Sequence, residues 1–132
     1  MATANYWADD VAAARDRYAE VLGIAPYFAM PPDTDSPSYV EFRVGRDGDE
    51  LGIVDRRFGS AAGAPGGVVL YWAVDDAAAT HERLIALGAT LFQPVTAQGD
   101  NGFITAAVLD PFGNIFGVMQ NPHFAEVREA ER

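Results

Sequence analysis

Few side chains in this sequence are equipped for covalent or acid–base chemistry, and what is missing narrows the choice. There is no cysteine and all nine basic residues are arginine, so thiolate nucleophiles, disulfides and lysine Schiff bases are excluded. The two histidines, His81 and His123, are too few for a three-histidine catalytic zinc within one chain. His81 falls on a helical pattern at an expected solvent-exposed position, and His123 falls in a charged tail after Asn121-Pro122. Ser36, Ser38 and Ser60 lie in loop-like stretches with no histidine nearby, which leaves a hydrolase triad without support. Carboxylates remain, and Glu50 is the candidate general base if the chain catalyses a reaction. Its other reading is a solvated residue after the Asp47-Gly48-Asp49 turn. Glu41 and Arg43, two apart on a strand-like segment, either pair or face solvent.

The elements that must position these residues repeat. A shift of 65 residues places Tyr6-Trp7-Ala8 on Tyr71-Trp72-Ala73, Leu22-Gly23 on Leu87-Gly88, and the segment from Gly48 to Val54 on that from Gly113 to Met119. A shift of 66 instead pairs Asp9-Asp10 with Asp75-Asp76 and Arg17 with Arg83. Each half reads as a strand, a helix and three strands. In the first half, Ala4 to Ala8 is a strand, and Asp10 caps a helix from Val11 to Leu22 whose larger apolar residues form one stripe. Gly23 suits the left-handed residue beyond the helix end. Ile24 to Met30, Tyr39 to Val44 and Glu50 to Val54 follow as strands. The second half uses Asp76 and Gly88 as its helix boundaries, then strands at Thr90 to Val95, Phe103 to Leu109 and Ile115 to Gln120. Asp110-Pro111-Phe112-Gly113-Asn114 is a tight turn. The expected organisation is a single domain over residues 1–132, with a first module at 1–54, a Gly-rich linker at 55–67, a second module at 68–121 and a partly mobile tail at 122–132.

The Asp-capped helix Asp-Val-Ala-Ala-Ala-Arg-Asp-Arg-Tyr followed by Leu-Gly, the second helix ending Ala-Leu-Gly-Ala, and Asp-Pro-Phe-Gly-Asn before the final strand resemble the vicinal-oxygen-chelate superfamily, which groups glyoxalases, bleomycin-resistance proteins and dioxygenases. The resemblance covers about Ala2 to Asn121. It implies an α+β fold of paired βαβββ modules whose eight strands form a mixed sheet curled into an open cup. It also implies a homodimer. The superfamily spans lyases, isomerases, dioxygenases and metal-free drug binders, so it specifies a fold more closely than an activity.

In the metal-dependent members, ligands stand seven residues before each capping Asp and four after each turn Gly. Carried onto this chain, those positions are Thr3, Gly52, Val69 and Gly117. None is His, Gln or Glu, and their immediate neighbours supply no donor set either. The expectation is therefore no metal and no other cofactor, unless ligands have moved to residues such as Glu41 and Glu50.

Residues two apart on a strand share a face, which assigns a cup lining of Asn5, Trp7, Glu50, Val54, Tyr71, Ile115 and Met119. On one reading these form an aromatic, polarizable pocket with Asn5, Glu50 and the Tyr71 hydroxyl as polar handles, and Glu50 made more basic by an apolar setting beside Trp7. On the other, Trp7, Val54, Ile115 and Met119 are core. A net charge of −10 opposes nucleic acid and anionic lipid and suits a cationic ligand. With no basic leader and no long apolar run, the chain reads as cytoplasmic. The expected function is a glyoxalase/bleomycin-resistance-like protein that binds an aromatic or cationic small molecule without a metal. The alternatives are a lyase, isomerase or dioxygenase of the same superfamily, and a metabolite-recognising regulatory domain.

Overall fold

Both halves of the repeat build the same unit. A computed structural model describes residues 3–58 and 69–131. The first module contains β1 (Thr3–Ala8), α1 (Val11–Leu22), β2 (Phe28–Met30), β3 (Tyr39–Val44) and β4 (Asp49–Asp55), followed by one 3-10 turn at Arg56–Phe58. The second contains β5 (Leu70–Ala73), α2 (Ala77–Ala86), β6 (Thr90–Ala97), β7 (Ile104–Leu109) and β8 (Ile115–Gln120), and then α3 (Pro122–Ala130). The strands form two four-stranded sheets, ordered β1-β4-β3-β2 and β5-β8-β7-β6. In each the first strand runs parallel to the fourth and the other pairs are antiparallel, giving an α+β fold of two βαβββ modules. The chain divides into two compact units, Met1–Ala64 and Pro65–Arg132. Most of the expected linker, residues 59–67, lies outside the described residues.

The helices begin and end where side-chain chemistry demands. Asp10 and Asp76 each accept a hydrogen bond from the backbone N–H three residues on, Ala13 and Ala79, both at 2.9 Å. Gly23 takes φ 69°, and its N–H closes the last turn of α1 on the Ala19 carbonyl. One face of α1, carrying Val11, Ala14 and Tyr18, is buried, and the Tyr18 ring lies 5.5 Å from that of Tyr6 on β1. Tyr6, Ala8, Val40, Phe42, Leu51 and Ile53 complete this core. Each fully buried large apolar side chain there contributes roughly 1.5–3 kcal/mol. Because strand residues alternate faces, the same parity sends Asn5, Trp7, Tyr39, Glu41, Arg43, Glu50, Gly52 and Val54 to the other, helix-free face.

The sheet registers correct the repeat. In the first strands the structural partner of Asn5 is Tyr71, not Leu70, because Asn5 pairs with Gly52 and Tyr71 with Gly117. The first strand and helix therefore repeat at 66 residues and the fourth strand at 65. The extra residue sits in the β3–β4 turn: the pair Arg43–Glu50 encloses residues 44–49, whereas Leu109–Ile115 encloses 110–114. Superposing Tyr6-Trp7-Ala8 on Tyr71-Trp72-Ala73 thus places side chains on opposite faces, the consequence of a one-residue slip.

Other differences have local causes. β2 is shorter than the expected Ile24 to Met30 because Pro26 has no N–H to give to a ladder. β6 runs on to Ala97, with Pro94 falling in a stretch of shifted register between Gln93 and Thr96. The tail carries a helix: Asn121 caps α3, accepting from the Phe124 N–H at 3.1 Å, and Pro122 occupies the first turn. His81 is not a solvent-exposed position. It shares the inward stripe of α2 with Ala77 and Leu84, and its Nε2 is buried with no hydrogen-bond partner among the described residues.

Candidate functional site

The helix-free face of the first sheet concentrates polar and aromatic groups around a glycine. Asn5, Gly52, Glu41 and Phe28 form one row across the four strands. Gly52 is buried, and a Cβ there would collide with the Asn5 carboxamide oxygen and come within 2.7 Å of Tyr39 Cε2. Glycine at 52 is therefore what lets the Asn5 amide and the Tyr39 ring fold over the sheet. The next row, Trp7, Val54, Tyr39 and Met30, supplies the apolar part of the face.

A hydrogen-bonded network crosses this surface. The Tyr39 hydroxyl donates to Glu41 Oε2 at 2.8 Å. Arg43 Nε lies 3.8 Å from Glu41 Oε1, its Nη2 3.1 Å from Glu50 Oε1, and its Nη1 donates to the Gly48 carbonyl at 3.2 Å. The same guanidinium stands 4.6 Å from the centre of the exposed Tyr27 ring, within cation–π range. Burial, the hydrogen bond to Glu41 and the negative charges of Glu41 and Glu50 together push the Tyr39 phenol up to about 12 from an ordinary 10.0. Tyr39 is thus held protonated as a donor.

The assigned lining residues are distributed as follows. Asn5, Trp7, Glu50 and Val54 share the first sheet's helix-free face, with Trp7 beside Val54. Glu50 is not beside Trp7. Its strand partners are Thr3 and Arg43, and it is ion-paired to Arg43, so the apolar setting expected to make it basic is replaced by a guanidinium. Tyr71, Ile115 and Met119 share one face of the second sheet. Tyr71 lies across Gly117, where an added Cβ would come within 2.8 Å of its ring and 2.9 Å of the Leu70 carbonyl. Met119 pairs with Ala73 and Thr105, and Ile115 is buried. Beside them, Gln93 Nε2 and Gln98 Nε2 both donate to Thr105 Oγ1, at 3.1 and 3.0 Å, forming a neutral cluster.

Tyr39 and Tyr27 are not among the sequence candidates, and the sequence leaves Arg43 and Glu41 undecided between pairing and solvent. The alternation Tyr39, Glu41, Arg43 along one strand is the signal that puts all three on one face; that Tyr27 reaches the guanidinium depends on the turn into β2 and has no sequence signature. As for a metal, Gly52 and Gly117 provide no side-chain donor, Glu41 and Glu50 are both engaged by Arg43, and among the described residues no three His, Cys, Asp or Glu side chains converge. The donor set does not fit the metal centre of the metal-dependent superfamily members.

The model of the Glyoxalase/Bleomycin resistance protein/Dioxygenase superfamily matches residues 1–118. This chain belongs to that superfamily. Among solved structures, a glyoxalase-related enzyme from Fulvimarina pelagi is similar over 92% of this chain and 88% of its own, with 27% identity and a TM-score of 0.70. TioX from Micromonospora sp. ML1 covers 91% and 97%, with 17% identity and a TM-score of 0.69. A lactoylglutathione lyase from Agrobacterium tumefaciens covers 94% and 95%, with 24% identity and a TM-score of 0.68. At those identities the last two speak to the fold alone. Comparison with curated protein sequences finds no significant match. Among the described residues, no helix is long and apolar enough to cross a membrane.

Proposed function

We propose that this superfamily member is a small-molecule-binding protein that holds an aromatic or cationic ligand without a metal ion, with Asn5, Trp7, Glu50 and Val54 among its contacts and Tyr39 and Glu41 added to them. On the second sheet, Tyr71, Ile115 and Met119 are proposed as ligand contacts of that module. The observation that carries this reading is Gly52: a position that supplies a ligand in metal-dependent relatives has no donor atom here, and the space above it is taken by Asn5 and Tyr39. Binding requires only affinity, and a face of aromatic rings with a few oriented polar groups provides that without a nucleophile. The net charge of −10 favours cations over anions at such a surface. We also propose a cytoplasmic homodimer, whose oligomeric state light scattering on the purified protein would test.

An enzymatic reading with Glu50 as base draws on the 27% identity to a protein described as a glyoxalase-related enzyme. The ion pair between Glu50 and Arg43 counts against it, because the carboxylate that would take the proton is already occupied by a guanidinium at 3.1 Å. The test is a titration of Trp7 fluorescence, in a Trp72→Phe background, with a panel of aromatic amines in the presence of a chelator. Saturable binding with the amine recovered unchanged is the expected result; conversion of the amine, or binding that disappears with chelator, would overturn the proposal.

A further inference from the structure

We infer that Arg43 is an internal occupant of a cation subsite, and that this subsite takes an aromatic ligand bearing an amidinium, guanidinium or ammonium group, which displaces the Arg43 head. The inference rests on the reading of this face as the ligand site and names the chemistry of what binds there.

The guanidinium sits against one aromatic ring, Tyr27 at 4.6 Å, and between two carboxylates, Glu50 at 3.1 Å and Glu41 at 3.8 Å. A ring face flanked by two carboxylates is an arrangement that selects a planar cation over an anion or a neutral group. Arg43 fills it incompletely. A separation of 3.8 Å exceeds hydrogen-bond length, so Glu41 Oε1 accepts no hydrogen bond from it. The Glu41 side chain is only 12% exposed while that of Arg43 is 45% exposed, so the better-buried carboxylate holds the looser contact. Arg43 is the more exposed partner, so its head can swing out into water, giving up its contacts with Glu50, the Gly48 carbonyl and the Tyr27 ring to an incoming cation. A ligand cation not tethered to β3 can approach Glu41 Oε1 directly, with its ring over the apolar row of Trp7, Tyr39 and Met30. An anion entering the same place would meet two carboxylates against one guanidinium.

The sign of the Arg43 effect separates the alternatives. Backbone and indole proton–nitrogen spectra would be titrated with benzamidine, its neutral analogue benzamide, and benzoate, on the wild-type chain and on Arg43→Gln, Glu41→Gln and Glu50→Gln; the spectra also report whether each variant is folded. Expected are shifts at the Trp7 indole and along β3, binding of benzamidine about tenfold tighter than benzamide, no shifts with benzoate, a roughly threefold gain in benzamidine affinity in Arg43→Gln, and about a tenfold loss in Glu41→Gln. The Glu50→Gln variant loses affinity in the same direction. Benzoate binding that vanishes in Arg43→Gln would overturn the inference while leaving the face a ligand site. Equal affinity for benzamidine and benzamide, or weaker benzamidine binding in Arg43→Gln, would overturn it too. A face undisturbed by all three probes would remove both the inference and the functional proposal beneath it.

Discussion

The two sheets share a backbone plan and differ in the chemistry of one face. Gly52 and Gly117 hold the same place, each crossed by side chains from the neighbouring first strand. Around them, the registers set Glu41 against Ala107, Arg43 against Leu109, Glu50 against Ile115 and Tyr39 against Thr105. The ion network of the first sheet has become small and aliphatic in the second, where the polar groups that remain, Gln93, Gln98 and Thr105, are neutral. The turns differ in the opposite sense. Asp110, buried, accepts from the N–H groups of Phe112 and Asn114 and from the Asn114 side chain at 2.7–2.9 Å, whereas the β3–β4 turn relies on Gly45 and Gly48 at positive φ and exposes Asp47. What shapes the sheet, the glycines and the capped helices, is common to the two modules. The face differs, and among the described residues the charged network belongs to the first module.

That comparison can be broken at several points. The largest expected effect is in the cores: Phe42→Ala and Phe116→Ala should each lose about 3–5 kcal/mol of unfolding free energy in urea, the cost of an emptied aromatic site. A loss under about 1 kcal/mol in either would mean that the two cores are not equivalent. Next are the turns. Asp110→Ala should lose roughly 1–3 kcal/mol because two N–H groups and an amide lose their acceptor, while Asp47→Ala should change stability by under about 0.5 kcal/mol. The glycines come third. Gly117→Ala pushes against the Leu70 carbonyl as well as a ring, and Gly52→Ala against side chains only, so within a range of about 1–3 kcal/mol the former should be the more destabilising. The smallest effect is a titration. The Tyr39 pKa is raised above its unfolded value, so its contribution is fully present below pH 10.0 and is lost as pH rises towards about 12. Ultraviolet difference spectra should show its ionisation moving to lower pH in Glu41→Gln, since that variant removes a hydrogen-bond acceptor and a negative charge; an unchanged midpoint would sever the Tyr39–Glu41 link.

What is legible in the sequence follows from which forces act locally. Asp10, Asp76, Gly23 and the apolar stripe of α1 announce the first helix because capping and periodicity are short-range, and the Asp-Pro-Phe-Gly-Asn turn is written in consecutive residues. The face shared by Asn5, Trp7, Glu50 and Val54 follows from the two-residue period of strands. The 65-residue alignment fails in β1 because it rests on the local match of Tyr-Trp-Ala, while the pairing that fixes the register of Asn5 lies some 47 residues away at Gly52. The environment of Glu50 escapes a sequence reading for the same reason: which residue of β3 stands opposite depends on a turn one residue longer than its counterpart. The helix α3 buries no residue and carries Glu126, Arg128 and Glu129, so it reads as a solvated tail, although Asn121-Pro122 is a valid start.

The central claim is that a side-chain network, and not a metal ion, organises the ligand face. The most direct measurement is elemental analysis of protein purified without chelators, repeated after incubation with excess zinc, iron, nickel and manganese followed by desalting. The expected result is substoichiometric metal in every sample, with the Tyr39 ionisation unchanged by the treatment. Retention of one metal ion per chain, abolished in Glu41→Gln or Glu50→Gln, would contradict the account and make those carboxylates relocated ligands.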